Sequence, residues 1–140
     1  YGCISLDIDG NDYWITKKIL ENGNFPDIFI VEYNASFLNF PITVPYKENF
    51  DRFEMHKSGL YHGASLMAFI KLFKKYNYKL IKTVGGVNAF FINSNFFNKN
   101  NLKELSFKQG YKEGFLRNKW SNSNAKHQYN QIKNLPFDKV

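Results

Sequence analysis

Along residues 1–98 two hydrophobic periods alternate, and each predicts its own kind of element. Cys3-Ile4-Ser5-Leu6-Asp7-Ile8 carries the pattern of a strand. Asp9-Gly10-Asn11 reads as a tight turn, and Asp12 is placed to cap a helix over about Tyr13 to Asn22, which Gly23 terminates. The stretch from Asp27 to Asn34 holds a second strand, Ile28-Phe29-Ile30-Val31, whose unbroken apolar run suits a parallel strand covered on both faces. Strand, helix and strand then form a parallel unit with a right-handed crossover. From Ser65 onward Leu66, Phe69, Ile70 and Phe73 recur on one helical face, with Lys71, Lys74 and Lys75 on the other, and the helix ends near Asn77. Tyr78 to Val84 and Val87 to Asn93 are strand patterns joined by Gly85-Gly86, the turn of an antiparallel hairpin.

Two stretches lack a period. Residues 35–62 form a long connection with Pro41 and Pro45, too rich in Phe and Tyr for a linker, and of the kind used as lids or binding loops. Beyond Asn98 the apolar residues scatter among Lys and Asn; a short helix is expected around Leu102 to Leu105 and an irregular course over the last 20 residues. The expected fold is therefore α/β, a Rossmann-like partial sheet ordered β-α-β-loop-α-β-β with a C-terminal antiparallel hairpin. Residues 1–98 form its ordered part, and residues 99–140 a basic, weakly structured extension. Because the chain opens inside a strand pattern, further strands are expected upstream of Tyr1, and with them an exposed sheet edge prone to self-pairing.

Composition narrows the function. With 140 residues, 44% hydrophobic and 19% aromatic, one core is affordable and two ordinary domains are not. No run approaches the ~20 apolar residues of a membrane span, and no signal-peptide pattern opens the sequence, so a cytoplasmic protein without a membrane partner is expected. Cys3 is the single cysteine and sits where a buried thiol is expected, without a catalytic role. The net charge of +7 rests on 17 Lys and only two Arg, Arg52 and Arg117, which disfavours nucleic acid as the partner, since specific phosphate and base recognition favours arginine forks. From Asn100 onward there are 8 basic and 3 acidic residues, so most of the charge lies in the tail.

In an open parallel sheet ligands bind outside the carboxyl ends of the strands, here Asp7 to Asp12 and Glu32 to Asn34. Three carboxylates in six residues repel one another unless a cation, protonation or backbone amides relieve them. Several chemistries begin with such a run. Haloacid-dehalogenase-like phosphatases use an aspartyl nucleophile in a run resembling Asp7-Ile8-Asp9-Gly10, but continue with Thr and a small apolar residue where this chain has Asn11 and Asp12, and need later paired acids that are absent after Glu54. A metal-dependent glycosyl or phosphoryl transferase would use the Asp7-x-Asp9 pair, matched by spacing alone. A calcium loop needs a later Glu at a distance the sequence does not supply. A non-catalytic interaction domain with a basic tail is the remaining alternative.

More of the chain takes part in a further resemblance. Leu6-Asp7-Ile8-Asp9-Gly10-Asn11-Asp12-Tyr13-Trp14, Ile30-Val31-Glu32-Tyr33-Asn34, Tyr61-His62-Gly63-Ala64-Ser65-Leu66 and Gly86-Val87-Asn88-Ala89-Phe90-Phe91 together resemble S-adenosylmethionine-dependent methyltransferases of the FkbM type, over about residues 3–93. The resemblance implies the carboxyl-terminal half of a class I methyltransferase domain, where a parallel pair of strands is followed by a helix and an antiparallel pair. It implies methyl transfer to a hydroxyl of a small molecule or glycan, with Asp7, Asp9 and Asp12 beside the acceptor and donor methyl. Glu32 and Asn34 would face them, and Tyr61 and His62 would reach in from the loop. The Gly-rich cofactor turn of that family is absent from this chain, so S-adenosylmethionine is expected to bind mainly upstream, the chain alone is expected to be inactive, and no metal ligand is assigned. His56 and His127 are given no role. Phe37, Phe40, Tyr46, Phe50 and Phe53 are expected to pack the loop over the sheet, Ser65 to cap a helix, and Trp14 and Trp120 point to nothing.

Overall fold

The apolar run of the second strand is explained by its place in the sheet. The computed structural model describes residues 2–140. In it β1 (Cys3–Leu6) is followed by α1 (Asp12–Glu21) and β2 (Ile28–Glu32), and β2 lies inside a four-stranded sheet. β1 pairs with it in parallel, from Cys3 opposite Ile28 to Leu6 opposite Val31. A 3-10 turn at Ala35–Phe37, the short β3 (Ile42–Thr43) and α2 (Arg52–Met55) occupy the long connection. Then come α3 (Leu66–Lys74), β4 (Tyr78–Val84) and β5 (Asn88–Asn93). β5 pairs antiparallel with β2 on one side and β4 on the other, giving the order β1-β2-β5-β4. Gly85 and Gly86 have φ of +66° and +68°, the left-handed pair of a tight turn that the Val87 amide closes by donating to the Val84 carbonyl at 3.1 Å; the hairpin is as expected, with β5 starting one residue after Val87, opposite Val84.

One face of this sheet is packed by α1 and α3. Ser65 caps α3 by accepting from the Ala68 amide, as expected, and Leu66, Phe69, Leu72 and Phe73 are buried. Phe73 is the centre of an aromatic cluster, with ring centroids 4.2 Å from Phe91, 5.2 Å from Phe29 and 5.4 Å from Tyr78. β1 is an edge strand with alternating exposed and half-buried residues. Cys3 is exposed there, which corrects the expectation of a buried thiol: the edge position leaves its face uncovered.

The tail differs most from expectation. After α4 (Ser94–Lys99), which follows β5 directly, it folds into α5 (Phe107–Gly110), α6 (Phe115–Ser121), α7 (Ala125–Ile132) and β6 (Asp138–Lys139). Residues 102–105 are not helical; the Leu105 amide instead donates to the Leu80 carbonyl of β4 at 2.8 Å, and the helix starts at the Ser106–Gln109 capping box. The last 20 residues are not irregular either, because Asn124 caps α7 and Ala125, Gln128 and Ile132 form its buried stripe. That stripe contains one amide, Gln128, matched by Ser36 Oγ at 2.6 Å, and a polar member hides the period. β6 pairs with β3, and Ile132 joins Phe37, Ile42, Val44, Leu60 and Tyr61 in a second core. The two stretches without periodicity thus pack on each other, and the tail is an integrated layer of the fold. Among the described residues no helix is long and apolar enough to cross a membrane.

Candidate functional site

The loop that leaves β1 is held by Asp12. Its carboxylate, 1% exposed, accepts from the Ile8 amide at 3.0 Å and the Gly10 amide at 2.9 Å, closing the turn backwards instead of capping α1 as expected. Burial raises its pKa, opposed by those same amides. The closed turn projects Asp9, a non-glycine residue at φ +54°, beyond the carboxyl end of β1. Asp7 is exposed and does not line the cavity described below.

At the end of β2 two residues divide the work. Glu32 is 8% exposed, and burial first, then repulsion from Asp7 and Asp9, pushes its carboxyl up to about 8. Asn34 is saturated: its amide donates to the carbonyls of Leu60 (2.8 Å) and His62 (2.9 Å), while its oxygen accepts from the Ser36 amide (3.0 Å) and Arg117 Nη1 (2.7 Å). It therefore fixes the 60–62 segment and has no group free for a ligand. Tyr61, also expected to meet substrate, is buried in the second core with its hydroxyl donating to the Pro136 carbonyl.

His62 lies between the two carboxylates and two guanidiniums. Arg117 Nη2 is 3.0 Å from His62 Nε2, and arginine only donates, so Nε2 is the acceptor and the proton of the neutral ring sits on Nδ1. Burial and then the charges of Arg117 and Arg52 hold its pKa well below the usual histidine value, so the ring stays neutral. Nδ1 is buried without a partner, 3.9 Å from Asp9 Oδ1, and Asp9 in turn is bound by Arg52 Nη1 at 2.5 Å.

Arg52 and Arg117, the only arginines, were given no site role from the sequence, although their rarity in a lysine-rich chain is a signal; both arrive here. Arg117 comes from α6 in the tail and reaches 3.8 Å from Glu32 Oε1. Its approach depends on Gly86, where an added Cβ would stand 2.0 Å from the Glu113 carbonyl oxygen. Tyr33 and Tyr111 secure the same segment, their hydroxyls donating to the carbonyls of Lys112 and Ala35, each at 2.8 Å.

These groups open onto a cavity of about 570 Å³, within the usual size of small-molecule sites. Asp9, Glu32, Arg52 and Arg117 form its polar side; Phe53, Leu116 and Trp120 form an apolar wall. Phe53 and Trp120 are therefore cavity residues, against the expectation of loop packing for the first and no role for the second. His56 bonds Ser58 Oγ at 2.7 Å and His127 bonds Asn124; neither lines the cavity. Asp9, Glu32 and His62, and separately Asp7, Asp12 and Glu32, each bring ligand atoms within 4.8 Å of one another. In the first set Arg52 binds one Asp9 oxygen and His62 presents its Nδ1 proton; in the second, Asp12 accepts from two amides.

Comparison of the chain with protein-family models, with curated proteins and with solved structures finds no match.

Proposed function

We propose that this chain carries the acceptor side of a Rossmann-like, S-adenosylmethionine-dependent methyltransferase of the FkbM type, acting in the cytoplasm on a hydroxyl of a small molecule or glycan. The observation that supports this reading is the convergence of Asp9 and Glu32, from the carboxyl ends of two parallel strands, on one cavity with Arg52 and Arg117. The order of a parallel pair, a helix and an antiparallel pair agrees with it.

The amides of the β1–α1 turn are taken by Asp12, and the paired glycines lie in a hairpin against Glu113. In this reading these residues serve the acceptor. Asp9, held on one oxygen by Arg52, keeps its other oxygen to accept from an acceptor hydroxyl. Glu32, protonated at neutral pH and ionised above about 8, can donate to the acceptor in the first state and take its proton in the second. Orientation of the acceptor is the larger contribution, since alignment alone lowers the barrier of a displacement strongly. A metal-dependent transferase built on Asp7 and Asp9 would use the Asp9 oxygen that Arg52 leaves open.

Calorimetric titration of S-adenosylmethionine into the protein at its full natural length, followed by labelled methyl transfer to a panel of hydroxyl acceptors, tests the reading. Binding and transfer, with transfer reduced in Glu32→Gln and Asp9→Asn, is the expected outcome. A folded protein that ignores the cofactor but binds a nucleotide sugar with Mn²⁺ would replace this reading with the metal-dependent one.

A further inference from the structure

The cavity has two unlike sides, and the apolar one is made of residues that folding alone does not explain. Trp120 is 80% exposed, Phe53 65% and Leu116 53%, yet all three line the same cavity as Asp9 and Glu32. Large apolar side chains left in water beside a polar cleft mark a ligand surface. The Phe53 ring, and the helix that carries the other two, are also held in place. The Arg52 guanidinium lies 5.5 Å from the centre of the Phe53 ring, and bare Gly59, at φ +63°, sits so close to that ring that a Cβ would stand 2.6 Å from it. α6, which carries Leu116 and Trp120, is anchored by Arg117 and by Asn118, whose amide donates to Glu113 and whose oxygen accepts from Gln128. A surface built on a fixed ring and a fixed helix binds with a smaller entropy cost of ordering it.

We propose that the ligand of this cavity is an amphiphile: a hydroxylated head group held by Asp9, Glu32 and Arg52, attached to an apolar body that lies against Phe53, Leu116 and Trp120. This rests on the cavity being the acceptor site and not on the methyl donor. The hydroxyls exchange hydrogen bonds with the two carboxyl groups and the guanidinium. The apolar body removes from water a wall that the folded chain leaves uncovered.

The test uses n-dodecyl maltoside, kept below its micelle concentration, with free maltose and phosphatidylcholine vesicles as the other arms. Binding is followed by heteronuclear NMR shifts in every variant, and by the combined fluorescence of Trp14 and Trp120 where both are present. Saturable binding of dodecyl maltoside, at least about tenfold tighter than maltose and weakened about tenfold or more by Leu116→Ser or Trp120→Ser, is the expected result. Both side chains are exposed, so these variants keep the fold, and unchanged amide spectra check this. Equal affinity for maltose, no binding by a folded protein, or unchanged binding in both variants would overturn the proposal. Adsorption to vesicles without saturable binding of the monomeric detergent would also overturn it, in favour of a membrane surface. If the amphiphile binds but no methyl is transferred, the methyltransferase reading alone fails; if free head groups are methylated as efficiently as their amphiphiles, this inference alone fails.

Discussion

The molecule's two cores are assembled from opposite kinds of chain. In the first, Phe29, Phe69, Phe73 and Phe91 come from elements whose apolar residues repeat with a strand or helix period, and each element could be placed separately. In the second, Phe37, Ile42, Val44 and Leu60 from the long connection meet Ile132 from the tail, and neither partner has a period of its own. The candidate site lies on the seam between them. The periodic half supplies the carboxyl groups, Asp9 and Glu32; the aperiodic half supplies both guanidiniums and the aromatic wall. Scaffold and specificity are thus carried by different parts of the chain, and the site is complete only when the tail is docked.

The comparison can be broken first at its strongest point. Phe73→Ala is expected to cost about 3–5 kcal/mol, because it empties the centre of the first core, and denaturant unfolding should show a single weakened transition. Ile132→Ala should cost about 2–4 kcal/mol but act unevenly. Hydrogen exchange is expected to speed up in residues 35–62 and in the tail while β2 and β5 stay protected, and equal loss in both halves would contradict the division.

Arg117→Met sharpens the seam itself. It leaves Asn34 Oδ1 and His62 Nε2 short of a donor, for an expected loss of about 1.5–3 kcal/mol, and should weaken ligand binding in the cavity more than Lys119→Met does. The last effect is a matter of pH. Glu32 holds its proton in the folded state up to about 8, whereas the unfolded chain releases it near 4.5, so its contribution makes stability fall as pH rises through that window. His62 acts with the opposite sign: its depressed pKa makes stability fall as pH drops below about 6.5. Glu32→Gln should therefore raise the unfolding midpoint at about pH 9 and leave it nearly unchanged at about pH 4, as measured by denaturant titration.

Legibility follows the same seam. The four sheet strands, α1 and α3 can be read because burial on one or two faces writes a period into the residues, and Gly85-Gly86 names its turn by backbone chemistry. β3 and β6 have two residues each, too short for any period, and exist because they pair with each other. Asp12 and Asn34 were placed at the right strand ends, but their carboxylate and amide are used up by local backbone groups, which spacing does not reveal. Arg117 lies 85 positions from Glu32 in the chain and meets it only through the fold.

The 15N shifts of the His62 ring, recorded between about pH 5 and 8 in the wild type and in Arg117→Met, test most directly whether the tail completes the site. The account predicts a neutral ring protonated on Nδ1 throughout that range in the wild type, and a change of tautomer or the onset of titration once Arg117 is removed. A wild-type His62 that titrates near 6.5, or carries its proton on Nε2, would contradict it.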